Sequence, residues 1–381
     1  MFASIRSFFR SSKRSNGKKK NRTPKEQAAK NEEMKEKFYE RFQVGKKLGA
    51  GNFSVVKQAR DTVEERDVAV KIMSKKKLTK EDKEAIKDEV AILKNLQHPN
   101  IIDLYGMFED DQSYFVVTEL VQGGELFDRI VEKEYYHESD AAAVIKLLAT
   151  ALGYLNENGV VHRDLKPENI LLTDKNDDTT VKLADFGFAK EINPGGEGTE
   201  LKTTCGTPGY VAPEIIMGKP YGKEVDMWSL GVITFILLCG YPPFYHENQS
   251  QLFKLIKKAK YKFDPEFWSE VSDDAKDLVK GLLVVNVEER FTVDDVLDHP
   301  WIKNGGCDKD ITPALNELRG YQARRRLKKG MLAVKAIKKF EKAGGLAAVV
   351  KEKKHELAVT MPVDDMSTLD TVDDESIEVK E

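Results

Sequence analysis

The sequence predicts an α+β protein in two lobes, a small strand-rich one followed by a larger helical one. From Phe42 to Glu119 the apolar residues fall in short runs of strand length, broken by one stretch of helical period, Glu84–Leu96, with Ile86, Val90, Leu93 and Leu96 apolar. Beyond Gly123-Gly124 the pattern turns helical. Its longest apolar run, Leu230–Cys239, suits a buried helix and is too short to cross a bilayer. Between them, Ile170-Leu171-Leu172 and Val181-Lys182-Leu183 flank a polar turn and predict a hairpin with charged groups at its edges.

The totals exclude several classes. Of 381 residues 33% are charged, yet the formal net charge is only −3. That balance hides segregation: nine Lys/Arg and no acid precede Glu26, whereas nine Asp/Glu and one Lys follow His355. Such ends read as solvated tails, and no nucleic-acid partner is expected. Cys205, Cys239 and Cys307 are few and widely spaced, which argues for a reducing compartment, against a disulfide framework and against a CxxC metal site. Asp174, Asn176 and Asp178 imitate the start of an EF-hand, but Thr179 stands where that loop needs glycine.

Residues 1–41 form a basic tail. Phe2, Ile5, Phe8 and Phe9 lie roughly on one helical face with Arg6 and Arg10 between, so a disordered tail, a membrane-surface helix and an organelle-targeting peptide are all open, the first preferred. Phe2 replaces the glycine that N-myristoylation needs. Leu48-Gly49-Ala50-Gly51-Asn52-Phe53-Ser54-Val55-Val56 then carries a Gly-x-Gly whose backbone amides can approach phosphates closely. One strand on comes Val68-Ala69-Val70-Lys71.

His162-Arg163-Asp164-Leu165-Lys166-Pro167-Glu168-Asn169 and Asp185-Phe186-Gly187 hold the chemistry. Phosphoryl transfer needs a carboxylate to orient and deprotonate the attacking hydroxyl, a cation against the γ-phosphate, and oxygen ligands for Mg²⁺. Asp164, Lys166, and the pair Asn169 and Asp185 can fill those roles in that order. The two motifs together, at this spacing, resemble the catalytic loop and Asp-Phe-Gly signature of eukaryotic protein kinases.

The resemblance covers about residues 42–342 and implies the bilobal kinase fold, with an N-lobe at 42–119, a C-lobe at 123–302, and ATP and Mg²⁺ between them. Lys71 would hold the α- and β-phosphates, oriented by Glu89, the acid preceding the apolar stretch that ends in His98-Pro99-Asn100. The loop 48–56 would cover the phosphates, although Ser54 replaces the third glycine. Val56 and Ala69 would line the adenine pocket, Thr118 would be the gatekeeper, and Glu119 to Val121 would supply backbone contacts to adenine. Glu125 and Glu168 would pair with an arginine upstream of the acceptor Ser/Thr. Ile236, where some relatives carry a second glutamate, argues for one such arginine rather than two. Thr207 would contact Asp164 and Lys166. Thr203 would be an activation-loop site for an upstream kinase, its phosphate pairing with Arg163 and Lys190; Thr204 competes. Asp226 would brace the catalytic loop, and Arg290 would pair with Glu214.

Ten Lys/Arg crowd residues 319–342, with Glu341 the only acid. Leu327, Met331, Val334 and Phe340 fall at offsets 0, 4, 7 and 13, roughly one helical face. A basic amphipathic helix suits calmodulin's grooves, a membrane surface or a nuclear-import signal. Gly330 weakens the free helix, and Gly344-Gly345 would end it. Tyr321-Gln322-Ala323-Arg324-Arg325-Arg326-Leu327 and Gly123-Gly124-Glu125-Leu126-Phe127 resemble calcium/calmodulin-dependent protein kinases, which implies that 303–345 is an autoinhibitory, calmodulin-binding segment. The remainder, 346–381, is an acidic tail too small for an association domain, so a monomer is expected, cytoplasmic unless the basic N-terminus directs it to a nucleus or organelle.

Overall fold

The computed structural model describes residues 38–50, 54–133, 135–174, 177–192, 201 and 205–342. Strands β1 (Phe42–Ala50), β2 (Ser54–Asp61), β3 (Arg66–Ser74), β4 (Leu104–Glu109) and β5 (Ser113–Glu119) form one antiparallel sheet in the order β1-β2-β3-β5-β4. Period-two alternation buries both faces of its centre. Val68, Val70, Phe115 and Val117 join Phe42 and Ala59 on one side, sealed by Phe38 from a helical turn over residues 38–41. Phe38 stacks on Phe115 at 4.2 Å, so this core begins upstream of β1. Met73, Tyr114 and Val116 face the other way and pack on Ile86 of helix α1 (Lys80–Leu93).

Helix α1 begins four residues before the periodic stretch because Thr79 and Asp82 cap each other's backbone amides. It stops at Leu93, short of Leu96. Its neighbour strand also differs from the expected Ile101–Phe108: the ladder begins at Leu104, and Ile101 instead bridges in parallel to Leu183.

The second lobe opens with β6 (Gly124–Glu125), α2 (Leu126–Ile130) and α3 (Glu138–Glu157). Next come β7 (Val160–Val161), the hairpin β8 (Ile170–Asp174) and β9 (Asp177–Leu183), and β10 (Lys190–Glu191). Strand β8 lies between β6 and β9, and β7 pairs with β10. Helices α4 (Pro213–Ile216) and α5 (Glu224–Cys239) follow; every residue of α5 after the first is buried, as its apolar length demands. Gly240 ends α5 at φ +83°, and a Cβ there would lie 2.2 Å from the Ala314 carbonyl. The chain continues through α6 (Gln249–Ile256), α7 (Pro265–Trp268), α8 (Asp273–Leu282), α9 (Val293–Asp298), α10 (Pro300–Lys303) and α11 (Thr312–Lys342).

Two compact units result, the first ending at Leu318 and the second starting at Arg319, both inside the span of α11. The approach to α11 is sewn to the start of α3 and the residues before it: Ser139 donates to the Cys307 carbonyl, Glu138 to that of Lys309, and Ile311 to that of Tyr136. Ile311, Leu315 and Leu318 are buried. From Arg319 onward α11 runs unbroken through Gly330 to Lys342; Gly344-Gly345 lie outside the described residues. No helix among the described residues is long and apolar enough to cross a membrane.

Candidate active site

Strand β3 presents Lys71 to α1. Its Nζ lies 3.4 Å from Glu89 Oε1 and 3.4 Å from Asp185 Oδ1. Burial pushes the Lys71 pKa down, but the two carboxylates outweigh it and the ammonium ends above its ordinary value. For Glu89 burial wins over the pull of Lys71, and its pKa rises. For Asp185 burial is outweighed by Lys71, and the pKa falls. Asp185 sits at φ +61°, and a Cβ on Gly187 would make an ordinary van der Waals contact with its Oδ1 at 3.4 Å.

The loop before β8 is held from below. Buried Asp226 of α5 accepts the backbone N–H groups of His162 (2.7 Å) and Arg163 (2.8 Å), the latter at φ +68°. Asp164 is thereby fixed where Thr207 Oγ1 donates to its Oδ1 at 2.9 Å and Lys166 Nζ to its Oδ2. Lys166 also reaches Thr207 at 3.2 Å, and Asn169 Nδ2 donates to the Asp164 carbonyl at 2.8 Å. With its nitrogen committed, Asn169 keeps Oδ1 as an acceptor. Oδ1 of Asn169 and the carboxylate of Asp185 are hard oxygen donors, and no group of three or more His, Cys, Asp or Glu able to hold a metal occurs among the described residues. That set fits a divalent cation completed by phosphate and water rather than a protein cage.

Gly49 and Ala50 pair with Val56 and Val55, which places Leu48 and Ser54 beside the strand ends; Gly51, Asn52 and Phe53 lie outside the described residues. Among the described residues nothing lies within 4 Å of a Cβ built on Gly49. Val56 pairs with Lys71, and Ala69 with Thr118. Glu119 gives its N–H to the Asp103 carbonyl (2.9 Å), and its own carbonyl accepts from the Thr118 hydroxyl (3.2 Å). Val121 follows in the short link to β6. Glu125 stands at the N-cap position of α2, and Glu168 sits in the single turn Pro167–Asn169.

Residues 42–302 match the family described as protein kinase domain. The chain belongs to the protein kinase family. It is 47% identical over 272 residues to calcium/calmodulin-dependent protein kinase type 1 of Macrobrachium nipponense, covering 71% of this chain and 77% of that protein. It is 46% identical over 276 residues to myosin light chain kinase A of Dictyostelium discoideum (72% and 92%), and 42% identical over 326 residues to calcium/calmodulin-dependent protein kinase type IV of Rattus norvegicus (85% and 67%). Within the family it is a serine/threonine protein kinase of the calcium/calmodulin-dependent group, and a kinase domain uses ATP and a divalent metal.

The other expected pairs are met only in part. Arg290 forms a bidentate pair with Glu214, at 2.7 and 2.9 Å. Lys190, expected to await a phosphate, is engaged by Asp88 of α1 at 2.6 Å. Arg163 donates to the Phe188 carbonyl (2.6 Å) and the Tyr221 hydroxyl (3.0 Å). Thr203 lies outside the described residues, as do the side chains of Val334 and Phe340; Leu327 and Met331 are exposed. Sequence reasoning missed Tyr221, Asp88 as the partner of Lys190, and Lys182. Only Lys182 carried a signal, a charge between the apolar Val181 and Leu183 at the end of β9.

Proposed function

We propose that this kinase transfers the γ-phosphate of Mg²⁺-ATP to a serine or threonine hydroxyl three residues after an arginine, under control of its own C-terminal segment. One observation carries the reading: Asp164, Lys166, Thr207 and Asn169 converge on one point while Lys71, Glu89 and Asp185 form a second polar cluster. Asp164 accepts the proton of the attacking hydroxyl, at the oxygen Thr207 now occupies. Lys166 neutralises charge on the transferring group, and Lys71, oriented by Glu89, holds the α- and β-phosphates. Asn169 and Asp185 would hold the Mg²⁺, which would supply charge neutralisation to the transferring phosphate.

Glu125 and Glu168 pair with the substrate arginine, a contact whose bidentate geometry discriminates against lysine. Ile236 is fully buried within α5, which supports recognition of a single arginine. The relatives named for calmodulin dependence, together with the ten Lys/Arg in the sequence of residues 319–342, support calmodulin as the partner of residues after Arg319. Calmodulin binds the open form better and shifts the population toward it. Phosphorylation of Thr203 by an upstream kinase adds a charged partner for Arg163. The reading is tested by a peptide kinase assay with Mg²⁺-ATP, with and without calcium and calmodulin. Phosphate transfer that rises with both is expected; no transfer under any condition refutes the catalytic assignment, and transfer indifferent to calcium refutes the control.

A further inference from the structure

The side chains of Lys182 and Glu119 have no part in the chemistry above, where Glu119 enters only through its backbone, yet they form a closely held ion pair. Lys182 Nζ lies 2.7 Å from Glu119 Oε1, with the side chains 9% and 17% exposed. The ammonium also donates to the Ile101 carbonyl at 3.2 Å, and the same Glu119 oxygen accepts the Asp103 N–H at 2.8 Å. A buried pair of this kind stabilises a fold little better than an apolar replacement, so stability alone is a poor reason for it.

Its place in the chain supplies another. Lys182 stands on β9, three residues before Asp185; Glu119 ends β5 and begins the link between the lobes. The segment between them is bonded on both sides. Leu183 donates to the Asn100 carbonyl (2.8 Å), Ile102 to that of Leu183 (3.0 Å), the Asn100 side chain to that of Val181 (2.9 Å), and Glu119 N–H to that of Asp103 (2.9 Å). The pair closes this into a ring that runs Glu119, Asp103, Ile101, Leu183, Lys182 and back.

We infer that the Lys182–Glu119 pair is a positioning brace that sets the distance between the adenine end and the phosphate end of the nucleotide site. The inference rests on the nucleotide site proposed above. ATP touches the interlobe link at one end and the groups around Asp185 at the other, so a preset separation spares it the cost of ordering the site. Breaking the brace loosens that separation. Once ATP is bound the two ends are realigned, so the loss falls on affinity rather than on turnover.

The test uses the full chain and compares Lys182→Met, Glu119→Gln and Lys182→Arg by steady-state peptide kinase kinetics, with adenosine as a competitive inhibitor. Glu119→Gln keeps an acceptor for the Asp103 N–H and removes only the charge, so it carries the test if Lys182→Met does not fold. Lys182→Met or Glu119→Gln is expected to raise the KM for ATP about five- to tenfold with kcat within about twofold of wild type. Adenosine does not span both ends, so its inhibition constant should stay within about twofold, and Lys182→Arg should restore most of the ATP affinity. An unchanged KM for ATP in a folded variant, equal losses for ATP and adenosine, or a fall in thermal stability alone would each overturn the brace. An inactive wild-type chain would instead indict the nucleotide site itself.

Discussion

At the scale of residues, Asp164 is held by four contacts from three other side chains, and each limits where its oxygens can point. Asp164→Asn keeps the shape and removes the base. Turnover is expected to fall about 10³-fold with the KM for ATP nearly unchanged; a rate near wild type in the same peptide assay would dismiss Asp164 as the base. The Lys71 cluster titrates asymmetrically. Glu89 is raised above its ordinary value by burial, Asp185 is lowered by Lys71, so on acidification Glu89 takes its proton first and Lys71 retains one partner. kcat/KM for ATP should therefore show an acid limb lying above the ordinary glutamate pKa. In Glu89→Gln the rate is lower throughout and that limb is absent; a pH–rate series on both proteins decides it.

Among elements, the five-stranded sheet depends on a contact that no motif announces. Arg41, just before β1, donates from Nε and Nη2 to the two oxygens of Asp61, at 2.9 and 2.7 Å, and the Asp61 side chain is fully buried. Burial raises the Asp61 pKa, but Arg41 and the backbone amides of Val63 and Glu64 outweigh it and leave it below the ordinary value. For a carboxylate lowered in the folded state, the contribution is complete above the unfolded pKa and is lost as pH falls through the folded one. Asp61→Ala leaves Arg41 without its buried partner and should cost roughly 3 kcal/mol at neutral pH. Thermal unfolding at neutral pH and at pH 3 should show the gap between the two proteins shrinking in acid. Helix α1 and β4 show where element boundaries were legible: hydrophobic period located the middle of α1, whereas its start was set by the Thr79–Asp82 cap and the start of β4 by Ile101 bonding to β9 instead.

For the molecule as a whole, the boundary between the first unit and the segment proposed to regulate it falls within α11. Ile311, Leu315 and Leu318 are buried in the first unit, each contributing roughly 1.5–3 kcal/mol. A chain ending at Leu318 should keep near-wild-type stability and, if the segment beyond it inhibits, show raised calcium-independent activity. A chain ending at Ile302 also lacks those three side chains and should melt well below it. Melting curves and basal peptide phosphorylation on the two truncations separate the cases; equal stability would place Ile311–Leu318 outside the fold's support. Leu327→Asp with Phe340→Asp should weaken calmodulin binding at least tenfold by titration, and undiminished affinity would move the site elsewhere.

Local chemistry made the phosphoryl-transfer set readable. Asp164, Lys166, Asn169 and Asp185 stand in two short motifs whose spacing is covalent, and a hydrophobic period says which runs are strands and which are helices. The partners of Lys190, Arg163 and Lys182 were not readable, because Asp88, Tyr221 and Glu119 reach them from 102, 58 and 63 residues away along the chain. Which of several nearby acids meets a given cation depends on how sheet and helix stack, and that is settled only when the apolar faces have packed.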